Sequence, residues 1–193
     1  MKHRILLLVI VMLAALAATP AQALPGSCEF TQTSYWFSSY ADVQDNISAE
    51  LGPTGDDNGL LRARPGGEHV GPWEVFDLIC VEAPNIYALR SRANGLYVSA
   101  ELGWMGDDYG LLRARAAAIG PWEKFKIISL GDLAPTKAEW VSIQSLANGR
   151  YVSAEIGWTD DRRGLLRARA PEAGRWEEFG FIPCSFVWEA CPD

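Results

Sequence analysis

The pattern of hydrophobic and polar positions after residue 23 predicts short β-strands. No window in that part of the chain repeats apolar residues with the 3.6-residue period of an amphipathic helix. Short runs rich in β-branched and aromatic residues, such as Tyr97–Ala100 and residues 125–128, are separated by Asn-, Asp- and Gly-rich stretches typical of turns. We therefore expect an all-β protein.

Three motifs recur in the same order along the chain. Ser-Ala-Glu occurs at residues 48–50, 99–101 and 153–155, and Leu-Leu-Arg-Ala-Arg follows at 60–64, 111–115 and 165–169. Trp-Glu-x-Phe completes each copy at 73–76, 122–125 and 176–179. Successive copies begin 51 and 54 residues apart. Such self-similarity is the mark of one supersecondary unit repeated three times.

About fifty residues with a turn roughly every ten give about four strands per copy and twelve in all. Propellers also use four strands per blade, but they need more blades than three. Three copies of four strands predict a β-trefoil with pseudo-threefold symmetry, in which six strands form a short barrel and six cap it as hairpins. We place the copies at approximately 31–80, 81–129 and 130–184.

Equivalent residues of a repeated fold occupy equivalent packing sites, and we expect most repeated residues to be structural. The first Leu of each Leu-Leu pair and the Phe of each Trp-Glu-x-Phe motif are predicted to be core residues. A packing role is also expected for Trp73, Trp122 and Trp176, because buried aromatic rings contribute the most apolar area. The glutamates that follow them, Glu74, Glu123 and Glu177, are expected to pair with the arginines of Leu-Leu-Arg-Ala-Arg.

The first 23 residues have the three parts of a signal peptide. Lys2 and Arg4 flank His3, an apolar run covers residues 5–17, and Ala21-Gln22-Ala23 is a small-x-small cleavage site. The mature protein would begin near Leu24 and form a single domain, residues 24–193, secreted to the extracellular space or the periplasm. Its cysteines, an even number as expected in an exported chain, favour two disulfides in one of three pairings. They are Cys28, Cys80, Cys184 and Cys191.

Charge excludes two classes of partner. The chain has 17 Lys and Arg against 24 Asp and Glu, a net charge of −7, and it contains no basic run. Nucleic-acid binding needs clustered cations against phosphate, so we expect none. Anionic membrane surfaces are poor partners for the same reason. No second apolar stretch approaches the roughly 20 residues that span a bilayer, so we expect no membrane insertion.

The repeated residues resemble those of fascin-like β-trefoil domains. The resemblance rests on Ala-Asn-Gly-x-Tyr-Val-Ser-Ala-Glu, then Leu-Leu-Arg-Ala-Arg, then Gly-Pro-Trp-Glu-Lys-Phe at residues 120–125, and covers about residues 40–182. It implies a β-trefoil, and actin as a partner. This chain differs from the actin-bundling fascins in having one trefoil, an export signal and four cysteines. Bundling requires two separated filament sites. Single trefoils of this kind also resemble modules of secreted carbohydrate-active proteins.

The connection between Ser-Ala-Glu and Leu-Leu contains the candidate binding residues. Its fourth position, counting Glu as the first, is Pro53 in the first copy and Trp104 and Trp158 in the others. Nearby polar side chains are Asp56, Asp57, Asp107, Asp108, Tyr109, Asp160 and Asp161. Exposed rings beside carboxylates suit sugars, because rings stack on C–H faces and carboxylates accept hydrogen bonds from hydroxyls. Alternatively, the tryptophans cover the bottom of the barrel and the acids cap turns.

These residues predict a secreted, non-catalytic module that binds carbohydrate on a cell surface or extracellular matrix. Because the first copy lacks the turn tryptophan, we expect two working sites. A cell-surface protein, or actin by the resemblance, is the alternative partner. A protruding loop at residues 131–139 would suit a protease-inhibitor or cytokine-like role.

We expect no catalytic residue, no cofactor and no metal. A nucleophilic triad would have to use His69, the one histidine of the mature chain. The acidic turns contain oxygen ligands but lack the alternating ligand order and closing Glu of a calcium loop.

Overall fold

The protein consists of antiparallel β-strands joined by short turns. We describe it from a computed structural model, which covers residues 28–30, 34–41, 45–66, 70–133, 138–186 and 191. The predicted signal peptide and His69 lie outside the described residues. The strands of the first copy are β1 (Ser34–Ser39), β2 (Asp45–Glu50), β3 (Leu60–Pro65) and β4 (Val75–Glu82).

The second and third copies have the same order of strands. In the second copy they are β5 (Ile86–Ser91), β6 (Tyr97–Ala100), β7 (Leu112–Ala116) and β8 (Phe125–Leu133). In the third copy they are β9 (Ala138–Ser145), β10 (Tyr151–Ala154), β11 (Leu166–Ala170) and β12 (Glu178–Pro183). The strands predicted at Tyr97–Ala100 and 125–128 are confirmed, and the twelve strands of the described residues match the expected number.

Two sets of strands form the architecture. The first and last strand of each copy pair in a closed cycle, β1–β4–β5–β8–β9–β12 and back to β1. The middle two strands of each copy form the hairpins β2–β3, β6–β7 and β10–β11. Closing the sheet on itself removes the exposed strand edges along which other chains could add.

The barrel interior holds the main core. Phe76, Phe125 and Phe179 are completely buried, as predicted, and Phe37 stacks between Phe76 and Phe181. Leu60, Leu111 and Leu165 are also buried, but they form a second cluster of their own at the hairpin end of the barrel. The prediction that both sets of repeated residues are core is therefore confirmed.

The four cysteines form the disulfides Cys28–Cys80 and Cys184–Cys191, which selects one of the three open pairings. The first bond ties the segment before β1 to the barrel strand β4. Phe30 adds a second attachment, since its N–H donates to the buried Tyr87 hydroxyl at 2.7 Å. Burial raises the pKa of Tyr87.

Strands β8 and β9 extend into both ends of the predicted loop at residues 131–139, and its middle, residues 134–137, lies outside the described residues. β8 and β9 continue their pairing to Leu133 opposite Ala138. Strand pairing is thus described at both ends of the segment that we expected to protrude. In the described part of the chain, no helix has the length and apolar character needed to cross a membrane.

Replacing Tyr87 with Phe tests the attachment of the segment before β1. The buried Phe30 N–H loses its acceptor, so the free energy of unfolding should fall by about 1–3 kcal/mol. Urea denaturation with the disulfides intact measures this. Tyr97→Phe, at a half-buried ring on β6, is the matched control and should change stability by less than about 0.5 kcal/mol. Equal losses in the two variants would contradict the assigned role.

Candidate functional site

The acidic turns lie together at the hairpin end of the barrel, where each hairpin contacts the next copy. Leu60 on β3 pairs with Arg113 on β7, Leu111 bridges to Arg167 on β11, and Leu165 bridges back to Arg62 on β3. The leucines of these pairs are the three that cluster together. The turn before each leucine is therefore held against a neighbouring copy.

A close backbone contact fixes the distance between hairpins. The carbonyl of Gly59 accepts a hydrogen bond of 2.7 Å from Ala114 N–H in the next copy. Gly59 has φ +87°, and a Cβ on it would lie 2.7 Å from the Ala114 carbonyl oxygen. Only glycine fits such an approach. Gly110 with Ala168 and Gly164 with Ala63 repeat the hydrogen bond, also at 2.7 Å.

The first arginine of each Leu-Leu-Arg-Ala-Arg motif holds the turn of the preceding copy. Arg113 donates to the carbonyls of Asn58 at 2.6 Å and Gly55 at 2.8 Å. Arg167 donates to those of Tyr109 and Gly106, both at 2.7 Å. A guanidinium presents several donors in a fixed fork, so a single side chain fixes two carbonyls.

Arg62, in the first copy, makes the equivalent contacts with the acidic turn of the third copy. Its Nη1 donates to the Asp161 carbonyl at 2.5 Å and to the Arg163 carbonyl at 2.6 Å. The backbone of all three acidic turns is therefore fixed by a side chain from another copy.

The second arginine of each motif pairs with the glutamate of Ser-Ala-Glu. Arg64, Arg115 and Arg169 each make two hydrogen bonds to one carboxylate, those of Glu50, Glu101 and Glu155 respectively. This hydrogen bonding raises the pKa of each of the three arginines. Glu101 and Glu155 are buried, and such burial of a charge requires a paired partner.

The predicted partners of the arginines, Glu74, Glu123 and Glu177, bond to backbone instead, which corrects that expectation. The Oε2 atoms of these glutamates accept from the N–H of Gly71, Gly120 and Gly174 at 2.9, 2.7 and 2.9 Å. Each contact spans three residues and caps a short 3₁₀ turn.

The tryptophans of these 3₁₀ turns are half-exposed, so the expected packing role accounts for only part of each ring. Trp73, Trp122 and Trp176 have exposed fractions of 49%, 37% and 47%. The rings of Trp122 and Trp176 lie beside Gly103 and Gly157 of the hairpin turns. Sequence reasoning missed these rings as candidate ligand contacts, although three equivalent exposed aromatics are a signal of binding.

Trp104 and Trp158 make the packing contacts that the structural alternative predicted. Both are half-buried and pack against the cluster of Leu60, Leu111 and Leu165. Guanidinium carbons lie near their ring centroids, that of Arg113 at 5.9 Å from Trp104 and that of Arg162 at 4.6 Å from Trp158. Part of each ring therefore seals the bottom of the barrel.

The carboxylates of the turns face solvent. The exposed side chains are Asp56, Asp57, Asp107, Asp108, Tyr109, Asp160 and Asp161. Arg162 joins two of the turns, with Nη1 3.2 Å from Asp107 and Nη2 2.9 Å from Asp160. Hydrogen bonds from Arg162 hold the pKa of Asp160 below its usual value, so Asp160 is ionised at neutral pH.

The hairpin end also contains a cavity of about 500 Å³ between the first and third copies. Pro53 and Leu60 line it on one side, and Asp161 and Leu165 line it on the other. Within the described ranges, no group of three His, Cys, Asp or Glu side chains is placed to hold a metal ion. The arrangement offers exposed carboxylates on a fixed backbone, together with guanidiniums, for hydrogen bonding.

Replacing Arg113 with Lys tests the hold on the first acidic turn. Lysine keeps the charge but cannot bond both carbonyls, so hydrogen exchange at Asn58 and Gly59 should accelerate by at least about tenfold. The turn held by Arg167 should exchange as in the parent protein. Arg167→Lys is the matched control, because it should accelerate exchange at Tyr109 and Gly110 alone. Faster hydrogen exchange in both turns in either variant would contradict the conclusion that each arginine fixes a single turn.

Replacing Trp104 with Ala tests how much of its ring is structural. A fully buried tryptophan costs roughly 3–5 kcal/mol, so a half-buried one should lower the free energy of unfolding by about 2 kcal/mol. Pro53→Ala, at the equivalent position of the first copy, should cost less than about 1 kcal/mol. Urea denaturation measures both variants, and equal losses would mean that Trp104 does not seal the leucine cluster.

No protein-family model matches the chain, and no curated protein matches its sequence. Solved structures do match. A designed 3-fold symmetric protein, ThreeFoil, has a TM-score of 0.57 at 14% identity, over 77% of this chain and 97% of its own. The BEL β-trefoil has a TM-score of 0.53 at 14% identity, over 78% of this chain and 92% of its own.

A lectin is also among the similar structures. The Polyporus squamosus lectin, solved with the human-type influenza-binding epitope Neu5Aca2-6Galb1-4GlcNAc, has a TM-score of 0.54 at 11% identity. The match covers 79% of this chain and 50% of the lectin chain. Identities this low establish the fold alone. The chain has the β-trefoil fold.

Proposed function

We propose that the protein is a secreted, non-catalytic module that binds carbohydrate through the acidic turns at the hairpin end of its trefoil. The observation that carries the proposal is the set of exposed turn carboxylates on a backbone fixed by Arg62, Arg113 and Arg167. Because the turn backbone is already ordered, only the carboxylate side chains lose freedom on binding, which favours affinity. We further propose that the three copies are related by pseudo-threefold symmetry, as in single-trefoil fascin-like domains.

The candidate ligand residues remain those of the turns. Trp104, Trp158 and Tyr109 offer ring surface beside the acids of the turns, and the arginines that neighbour them offer donors. The likeness to a lectin that binds a sialylated trisaccharide supports this class of ligand. The two disulfides support export, since disulfides persist in oxidising compartments.

A glycan array with the disulfide-bonded protein from an exporting host tests the proposal. We expect selective binding to related sugars, and at least about tenfold weaker binding after the triple change Asp56→Asn, Asp107→Asn and Asp161→Asn. Each lost hydrogen bond to a charged group is worth about 1.5–3 kcal/mol. The matched control neutralises three exposed acids away from the turns, Glu29→Gln, Glu82→Gln and Glu172→Gln.

Two outcomes would contradict the proposal. Equal weakening in the turn variant and in the control would show that overall charge, and not the turns, governs binding. A blank array from a folded sample would remove carbohydrate as the ligand. The resemblance to fascin-like domains would then direct the next experiment to actin, measured by cosedimentation with filaments.

A further inference from the structure

The cavity between the first and third copies has a cause in the sequence. Pro53 lines it and stands where the second and third copies have Trp104 and Trp158. Those two rings pack on the leucine cluster, and two members of that cluster, Leu60 and Leu165, line the cavity. Since proline is much smaller than tryptophan, the first copy leaves open the space that a ring fills elsewhere.

The first copy also differs from the other two in the hydrogen bonds of Arg62, whose equivalents are Arg113 and Arg167. The Nε of Arg113 and that of Arg167 each donate to a turn carbonyl, at 2.6 and 2.7 Å. The buried Nε of Arg62 has no hydrogen-bond partner and lies 3.9 Å from Glu50 Oε1. Burial lowers the pKa of Arg62. In the wall of the cavity, the Nε of Arg62 therefore lacks the hydrogen bond that the equivalent arginines make in the other copies.

The cavity walls balance in charge. Four carboxylates line it, from Glu50, Asp57, Asp160 and Asp161. Four guanidiniums line it as well, from Arg62, Arg64, Arg162 and Arg163. Carboxylates only accept hydrogen bonds and guanidiniums only donate them, whereas a hydroxyl does both. A neutral ligand rich in hydroxyl groups can donate to the carboxylates and accept from the guanidiniums without leaving an unpaired charge.

The apolar part of the cavity lining is narrow. Leu60, Leu165 and Ala63 belong to it but are only 5%, 3% and 2% exposed, so a ligand would be held mainly by hydrogen bonds to the polar walls. The volume of about 500 Å³ falls within the range typical of small-molecule sites. An anionic ligand would approach four carboxylates as closely as four guanidiniums, so the charge balance gives it no advantage.

We infer that this cavity is a binding site for one unit of a neutral saccharide, present once in each chain. The inference rests on the proposed function and reverses the expectation that the first copy, lacking the turn tryptophan, has no working site. The side chain at residue 53 then determines which copy is open to a ligand and which is sealed. Pro53→Trp should close the cavity as tryptophan does in the other copies.

Protein-observed NMR tests the inference. The ¹⁵N-labelled, disulfide-bonded protein is titrated with five sugars: lactose, cellobiose, maltotriose, laminaritriose and, as the anionic comparison, 3′-sialyllactose. We expect at least one neutral sugar to shift the amides of Arg62, Ala63, Asp161 and Arg163 with a stoichiometry of one. Pro53→Trp should weaken that binding at least tenfold while keeping the dispersed spectrum of a folded protein. Leu130→Trp, which adds the same ring at an exposed position of β8, should bind as the parent does.

The outcomes separate this inference from the proposed function. If Pro53→Trp binds within twofold of the parent while the triple Asp→Asn variant does not bind, the cavity is not the site and the proposed function stands. Shifts restricted to the sialylated sugar would overturn the neutral ligand class. No shift with any of the five sugars overturns the cavity site, and a blank glycan array overturns both proposals. If Pro53→Trp fails to fold, Pro53→Phe takes its place, with the same expected loss.

Discussion

The hydrogen bond between a hairpin glycine and the alanine of the next copy is the constraint on which the hairpin end depends. Gly59 approaches Ala114 so closely that a Cβ on the glycine would clash with the Ala114 carbonyl, and the hydrogen bond between them sets the hairpin spacing. That spacing brings Leu60, Leu111 and Leu165 into one cluster. It also brings the guanidinium of each first arginine within reach of the preceding turn. Packing, turn geometry and the presentation of the acids therefore follow from one backbone contact.

Each position of Gly-Leu-Leu-Arg-Ala-Arg has a separate physical role, which explains why the motif recurs unchanged. In the second copy the first leucine joins the cluster at the hairpin end, and the second, Leu112, enters the barrel core. Arg113 holds the neighbouring turn, and Arg115 neutralises the buried Glu101. The connection before the motif is under fewer constraints. Variation is concentrated there, and Pro53 against Trp104 is its largest example.

The fold was predictable from the sequence because short runs of β-branched and aromatic residues, turn residues and the internal repeat all indicate the same architecture. Tyr97–Ala100 was bounded correctly because turn residues flank it on both sides. The partners of the arginines were predicted wrongly, since Glu74 and Glu50 are both near in sequence and only hairpin register distinguishes them. In Gly-Pro-Trp-Glu the three-residue spacing from Gly71 to Glu74 already contained the capping interaction. The exposure of Trp73 depends on how its 3₁₀ turn packs on strand β2, and the cavity beside Pro53 depends on a contact between copies. No local pattern encodes either.

The cyclic order of the contacts between hairpins has a consequence for how such a molecule arises. In each copy the glycine carbonyl accepts a hydrogen bond from the next copy, and the alanine N–H donates one to the preceding copy. A single copy alone would therefore leave one donor and one acceptor without a partner. Three separate chains of one copy each could meet all of these requirements by assembling as a homotrimer. Joining the three copies in one chain converts that intermolecular association into a folding reaction. It also lets the copies diverge, because a change such as proline at residue 53 then alters one position in three.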